Sequence, residues 1–168
     1  MELRRLSLHD VQEAARAHEE LACEGFEFLL GYEPGMDWAD FLNGMERLRQ
    51  GIGLSDIWVP ETFLVAEVGG QLVGRVSIRH HLNPSLRLVG GHIGYSVRPR
   101  FRRKGFAGQI LDLALVEARN LGIGEALLTC DAGNFASRRV IESHGGVPEA
   151  LISQDTVTKF KLRYWIAT

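Results

Sequence analysis

A chain of 168 residues, 45% hydrophobic and 24% charged, has the make-up of one ordinary globular domain. Its formal net charge of −2 excludes a general affinity for nucleic acid or membrane surfaces, so any electrostatic message is local. The two cysteines, Cys23 and Cys130, form no metal-ligand pattern, the opening MELRRLSLHD is charged, and no apolar run approaches the ~18 residues of a membrane span. These features predict a cytoplasmic protein with reduced thiols and no metal site.

In chain order, ELRRL predicts a short strand. SLHDVQEAARAHEELACEG predicts a helix, opened by a capping serine or aspartate and stopped at Gly25. A loop rich in Gly, Pro and aromatics follows, and DWADFLNGMERLRQG predicts a second helix between Asp37 and Gly51. The β-rich runs TFLVAEV and QLVGRVSIRH, joined by Gly69-Gly70, predict a hairpin. After the NPS turn the sequence predicts a strand from Leu88 to Val97, a helix from about Gly105 to Leu121, and a buried strand, EALLTCD. NFASRRVIESHGG predicts a short helix with Asn134 as its N-cap, and VPEALISQ and VTKFKLRYWI predict two last strands around a turn at Gln154-Asp155. The order β-α-α-β-β-β-α-β-α-β-β gives a single α+β domain over residues 1–168 on a largely antiparallel sheet. Its one strand–helix–strand crossover, Leu88 to Cys130, predicts a parallel strand pair.

The segment HIGYSVRPRFRRKGFAGQ carries the strongest chemical signal. Arg98, Arg100, Arg102, Arg103 and Lys104 put five basic residues in seven between an apolar strand and an amphipathic helix, with Gly105 and Gly108 at the helix start. The first amides of a helix lack internal acceptors and sit at the positive end of its dipole, so glycines and cations there favour an anion, here a diphosphate. The turn lacks the Gly-Lys-Ser/Thr ending of a P-loop and the three-glycine dinucleotide fingerprint. A basic run of this kind is also what a solvated surface looks like.

Arg102-x-x-Gly105-x-Ala107 resembles the acyl-coenzyme A signature of the GCN5-related N-acetyltransferase superfamily, and TCDAGNFASRRVIESHGG is similar to that family's second block, in which an Asn opens a helix ending at Gly. The likeness spans about Gly90 to Gly146; with GHIGYSVRP and RYWI it points to a bacterial group of acetyltransferases. The resemblance implies that fold, with two splayed strands, and acetyl-coenzyme A as co-substrate. It assigns Arg102, Arg103, Lys104, Gly105, Phe106, Ala107 and Gly108 to the pyrophosphate and the backbone around Val97 to the pantetheine arm. Asn134 goes to the pantetheine or the adenine side. Arg138 and Arg139 could reach the ribose 3′-phosphate or lie on a solvated helix face.

Two departures stand out. Many relatives place, seven residues after that Asn, a Tyr that protonates the departing thiolate; here the position is Ile141. Ser137, one turn earlier, or water could substitute, although a helix serine commonly bonds back to its own backbone. Many relatives also carry a Glu near the start of the strand before the loop, where this sequence has His92, a candidate general base with an ordinary pKa of about 6.5 or a histidine satisfied by its neighbours. Asp131, at the end of its strand, could orient an amine or cap the next turn, and the cap is favoured.

Between Ala17 and Glu46 lie Glu19, Glu20, Glu24, Glu27, Glu33, Asp37, Asp40 and Glu46 and no Lys or Arg, interleaved with Phe26, Phe28, Tyr32 and Trp38. In the resembling family this segment walls the acceptor site, and an acidic aromatic wall suits a cationic amine; the same residues fit helix-surface charges over a core. The expected activity is acetyl transfer to a primary amine of a small molecule or peptide, with a non-catalytic acyl-coenzyme A-binding module as the alternative. No nucleic-acid or membrane partner is expected, and dimers through the last strands, common in the family, leave a homodimer open.

Overall fold

The computed structural model describes residues 1–149 and 161–168. The chain forms β1 (Glu2–Arg4), α1 (Val11–Ala22), α2 (Trp38–Gln50), β2 (Glu61–Val68), β3 (Gln71–Arg79), α3 (Pro84–Leu88), β4 (Ile93–Val97), α4 (Phe106–Asn120), β5 (Glu125–Asp131), α5 (Phe135–Ser143), β6 (Val147–Pro148) and β7 (Lys161–Ala167), with single 3₁₀ turns at Leu8–Asp10 and Pro99–Phe101. This is the expected α+β order with one insertion. Where the NPS turn was expected, Asn83 caps the short helix α3 by accepting from the Leu86 amide at 2.9 Å, with Pro84 in the first turn, and the strand expected from Leu88 starts at Ile93. The turn at Gln154-Asp155 and most of VPEALISQ lie outside the described residues; within them that segment forms only the two-residue β6.

The strands form two antiparallel sheets, ordered β1-β2-β3-β4 and β5-β7-β6. Gly69 and Gly70 close the β2–β3 hairpin with φ of 57° and 76°, the left-handed geometry its tight turn needs. The α4 face made by Ile110, Leu111, Ala114 and Ala118 buries against Ile93 and Val97 of β4, Ala126 and Leu128 of β5 and Tyr164 and Ile166 of β7. On the other side of the first sheet, Ala14, Ala17 and Leu21 of α1 and Phe41 of α2 pack with Phe28, Leu29, Phe63 and Val65.

No parallel ladder joins β4 to β5 among the described residues. They meet only at the foot of β4, through an isolated antiparallel-type bridge between Gly91 and Leu128 and a bond from the His92 amide to the Leu127 carbonyl at 2.7 Å. Gly91 is required there: a Cβ would stand 2.3 Å from the Leu127 carbonyl oxygen. Above this point the strands belong to separate sheets, and the gap between them faces the start of α4 and of α5.

Candidate active site

The basic run after β4 divides in two. Arg98 is fully buried. It donates to both carboxylate oxygens of Glu20 at 2.9 and 2.7 Å, to the Leu72 carbonyl at 2.7 Å, and to Glu13. Arg100 reaches Glu13 at 3.0 Å and lies 4.8 Å from the Phe101 ring. Arg102 forks onto Glu24 at 3.0 and 2.5 Å, while its Nε donates to the Val97 carbonyl at 3.0 Å. Three of the five cations therefore face α1 and the segment just after it, and Val97 offers a carbonyl already held by Arg102. Among the described residues, only Arg103 and Lys104 of the five have no carboxylate partner.

Arg103 and Lys104 are exposed, and the backbone around them turns inside out. Arg103 adopts φ 62° and Gly105 φ 79°, both left-handed, on either side of Lys104. Such a turn aims successive N–H groups at one point. The first backbone bond of α4 is from the Gln109 amide to the Gly105 carbonyl at 3.3 Å, so the amides of residues 103–108, through Phe106, Ala107 and Gly108, have no acceptor among the described residues. Nothing lies within 4 Å of where a Cβ on Gly105 would be, leaving the approach open. Gly108 has a second use: a Cβ there would come 3.2 Å from Cε1 of His144, the residue that closes α5 and pairs with Asp112 of α4 at 3.2 Å.

Across the gap, Asn134 caps α5 by accepting from the Ser137 amide at 3.0 Å, which leaves its Nδ2 donors for other partners. Asp131 closes the preceding turn through its carbonyl, which accepts from the Asn134 amide at 2.8 Å, and its carboxylate pairs with Lys161 at 2.8 Å. Ser137 does not bond back to its helix. Its hydroxyl lies 3.3 Å from the hydroxyl of Tyr95, which stands on the core-facing side of β4 with Ile93 and Val97. Ile141 is 1% exposed and packs in the core. Tyr95 was not singled out in the sequence; its alternation with Ile93 and Val97 gives its face but not its reach.

The family model for the acetyltransferase (GNAT) family matches residues 32–145. The chain belongs to that family. No curated protein sequence matches it. Among solved structures, RimJ of Mycobacterium smegmatis in complex with a CoA-disulfide is 22% identical with a TM-score of 0.69, over 98% of this chain and 80% of that one. YncA from Salmonella typhimurium with acetyl-CoA is 21% identical with a TM-score of 0.63, over 98% and 91%. A spermidine N-acetyltransferase SpeG chimera from Vibrio cholerae is 21% identical with a TM-score of 0.66, over 99% and 96%. All share the fold described above.

In this acetyltransferase His92 holds a structural post. It is 8% exposed, and its Nδ1 accepts from the Leu127 amide at 2.9 Å. A neutral imidazole has a single lone pair, so that bond places the proton on Nε2 and leaves no site to receive another. Burial, with Arg87 and Arg79 nearby, pushes its pKa down to about 4 instead of the 6 to 7 expected of a general base. The expectation of a base titrating near neutrality at this position does not fit its surroundings.

The acidic segment is also more committed than its composition implied. Glu20 and Glu24 hold the arginines, Glu46 pairs with Arg5 and Arg49 at 3.1 and 2.6 Å, Asp37 caps α2, and Glu27 accepts from the Gly31 amide. The aromatics are largely core: Phe28 is fully buried, Tyr32 meets Trp38 and Phe41 edge-on, and the Trp38 indole donates to the Ser7 carbonyl at 2.9 Å. Phe26 lies 4.8 Å from the buried Arg75 guanidinium of β3, which also donates to the Glu27 carbonyl and so ties this segment to the sheet. Among the described residues Glu19, Glu33 and Asp40 stay exposed and without ion-pair partners. A cavity of about 410 Å³ beside α2, lined by Arg5, Leu42, Met45, Glu46, Arg49 and Phe63 among others, shares no residue with the loop or α5. Within it Arg5 and Arg49 share the Glu46 carboxylate.

Proposed function

We propose that this acetyltransferase moves the acetyl group of acetyl-coenzyme A onto a primary amine of a small molecule or peptide, with the turn Arg102–Gly108 receiving the pyrophosphate. The uninterrupted run of free amides at residues 103–108 carries this reading: an inward-facing row of donors at a helix start is a ready anion site. Arg103 and Lys104 add charge, and Arg102 can join them by leaving the exposed Glu24. Val97 would flank the pantetheine arm, and the Nδ2 donors of Asn134 would face its far side.

Acetyl-coenzyme A supplies the thioester carbonyl that the amine attacks. Ser137 would stand by the sulfur, in place of the hydroxyl that Ile141 lacks. The amine proton would pass to water, because the one lone pair of His92 is taken. Glu19, Glu33 and Asp40 favour a cationic acceptor by charge attraction, in keeping with the presence of a spermidine N-acetyltransferase among the structural neighbours.

Coenzyme A should raise the melting temperature by mass action, equivalent to about 2.7 kcal/mol at a hundredfold excess over Kd. Gly105→Glu, which sets a carboxylate in the open approach, should abolish that shift, whereas Gly105→Asn, tolerant of the left-handed backbone, should keep most of it. A folded Gly105→Glu protein that binds coenzyme A normally would overturn the loop assignment. A screen of amines with a free-thiol readout then identifies the acceptor.

A further inference from the structure

We infer that Tyr95 is a positioning residue for the departing thiolate, holding the Ser137 hydroxyl so that its proton is offered to the sulfur. The inference rests on the acyl-donor reading above and extends it to a residue outside the resembling motif. Tyr95 and Ser137 come from β4 and α5, elements on opposite sides of the gap, and their hydroxyls lie 3.3 Å apart.

A serine inside a helix ordinarily gives its proton to a carbonyl of the preceding turn. Ser137 does not, and among the described residues Tyr95 is the partner of its hydroxyl. Of the two, the phenol is the better donor, so Tyr95 O–H donates, Ser137 Oγ accepts, and the serine proton is left pointing elsewhere. Burial raises the Tyr95 pKa above its usual 10, which keeps the phenol protonated and donating. The charged groups around it do not compete: Cys130, facing it from β5, is itself raised by burial and stays neutral, and Arg138 of α5 is paired with Glu142 at 3.7 Å.

Where relatives carry a phenol on α5, Ile141 is sealed in the core. Tyr95 brings a phenol to the same helix from the facing strand, one turn earlier. As the C–S bond breaks, its electron pair goes to sulfur, and Ser137 donates a hydrogen bond to that sulfur. The proton that finally neutralises the sulfur comes from water, which has received the one lost by the amine. Tyr95 keeps its proton throughout.

The test compares coenzyme A with desulfo-coenzyme A by calorimetry from pH 7 to pH 9. A hydrogen bond to the thiolate lowers the bound thiol pKa, so in the wild type the affinity ratio of coenzyme A to its desulfo analogue should rise about tenfold across that range. Tyr95→Phe should reduce the rise to about threefold or less while leaving desulfo-coenzyme A affinity and melting temperature unchanged, and Ser137→Ala should remove it. A purely structural Tyr95 would shift the melting temperature or the desulfo affinity and leave the slope of the ratio intact; that result overturns the inference, as does a flat ratio in the wild type. Failure of both ligands to bind would instead sink the cofactor site on which the inference rests.

Discussion

Arg98, Arg100 and Arg102 turn back onto α1 and the segment just after it, with the amides of Arg98, Phe101 and Arg102 engaged, whereas Arg103 and Lys104 are exposed and the amides of residues 103–108 lack acceptors among the described residues. The two stretches are contiguous and both are basic. Burial and opposite charge decide which cation serves the fold: a guanidinium sealed from water is retained only with its hydrogen bonds filled, and Glu13, Glu20 and the Leu72 carbonyl fill those of Arg98. The left-handed Arg103 and Gly105 decide where the amides point. Charge density singled out the whole run; backbone geometry sets apart its second half, where the amides lack acceptors among the described residues.

The sharpest way to break this contrast is Arg98→Ala. Removing a buried cation from its carboxylates should cost about 3–5 kcal/mol in urea unfolding, with little change in coenzyme A affinity of the folded protein. Loss of affinity with stability intact would move Arg98 to the ligand side.

A second group held by the fold is His92, and pH exposes it. Its folded pKa, about 4, lies below the ordinary 6.5, so the native state disfavours the protonated form. Its contribution is therefore complete above pH 6.5 and is lost as pH falls from 6.5 towards 4, on the order of 2–3 kcal/mol. His92→Asn, which can still accept from the Leu127 amide, should flatten the stability profile across that window. An equally steep profile in the variant would place the titration elsewhere.

The smallest expected effect is at the boundary between the two stretches. Arg102 and Glu24 are both exposed, so Glu24→Gln should barely move the melting temperature. By freeing Arg102 for the anion it should raise coenzyme A affinity about two- to fivefold, an advantage that high salt erases. No gain would mean that Arg102 belongs wholly with the arginines that serve the fold.

Much of this was legible in residue order. Periodicity, caps and the Gly69-Gly70 turn marked the hairpin and the four longer helices, and the run from Arg102 to Ala107 marked the turn proposed here for the pyrophosphate. Local signals failed where long-range packing decides. Asn83 and Pro84 form a cap and first turn that a bare turn signal conceals, so a short helix stands where a turn was expected and the following strand starts later than Leu88. For the aromatics near Tyr32 the sequence left open a binding wall, implied by the resemblance, or a core, and the packing of α1 and α2 against them shows that they are largely core. His92 showed a pKa-appropriate residue type, but the amide that occupies its lone pair comes from residue 127, across the foot of the gap. Tyr95 escaped notice for the same reason, since its partner lies on α5.

The Arg98 cluster also has a consequence for the order of assembly. Glu20 and Glu13 meet Arg98 across 78 and 85 positions of sequence. During synthesis α1 is complete long before its counter-charge exists, and its carboxylates must wait for Arg98 until more than half the chain has emerged. The β2–β3 hairpin, closed by its own two-residue turn, needs no such delay. Closing a loop of that length carries an entropic cost before the contacts that repay it can form. The apolar face of the amino-terminal helix can thus pack on β2 and β3 before its ion pairs exist, and Glu13 and Glu20 remain in water until the segment after β4 arrives to cover them.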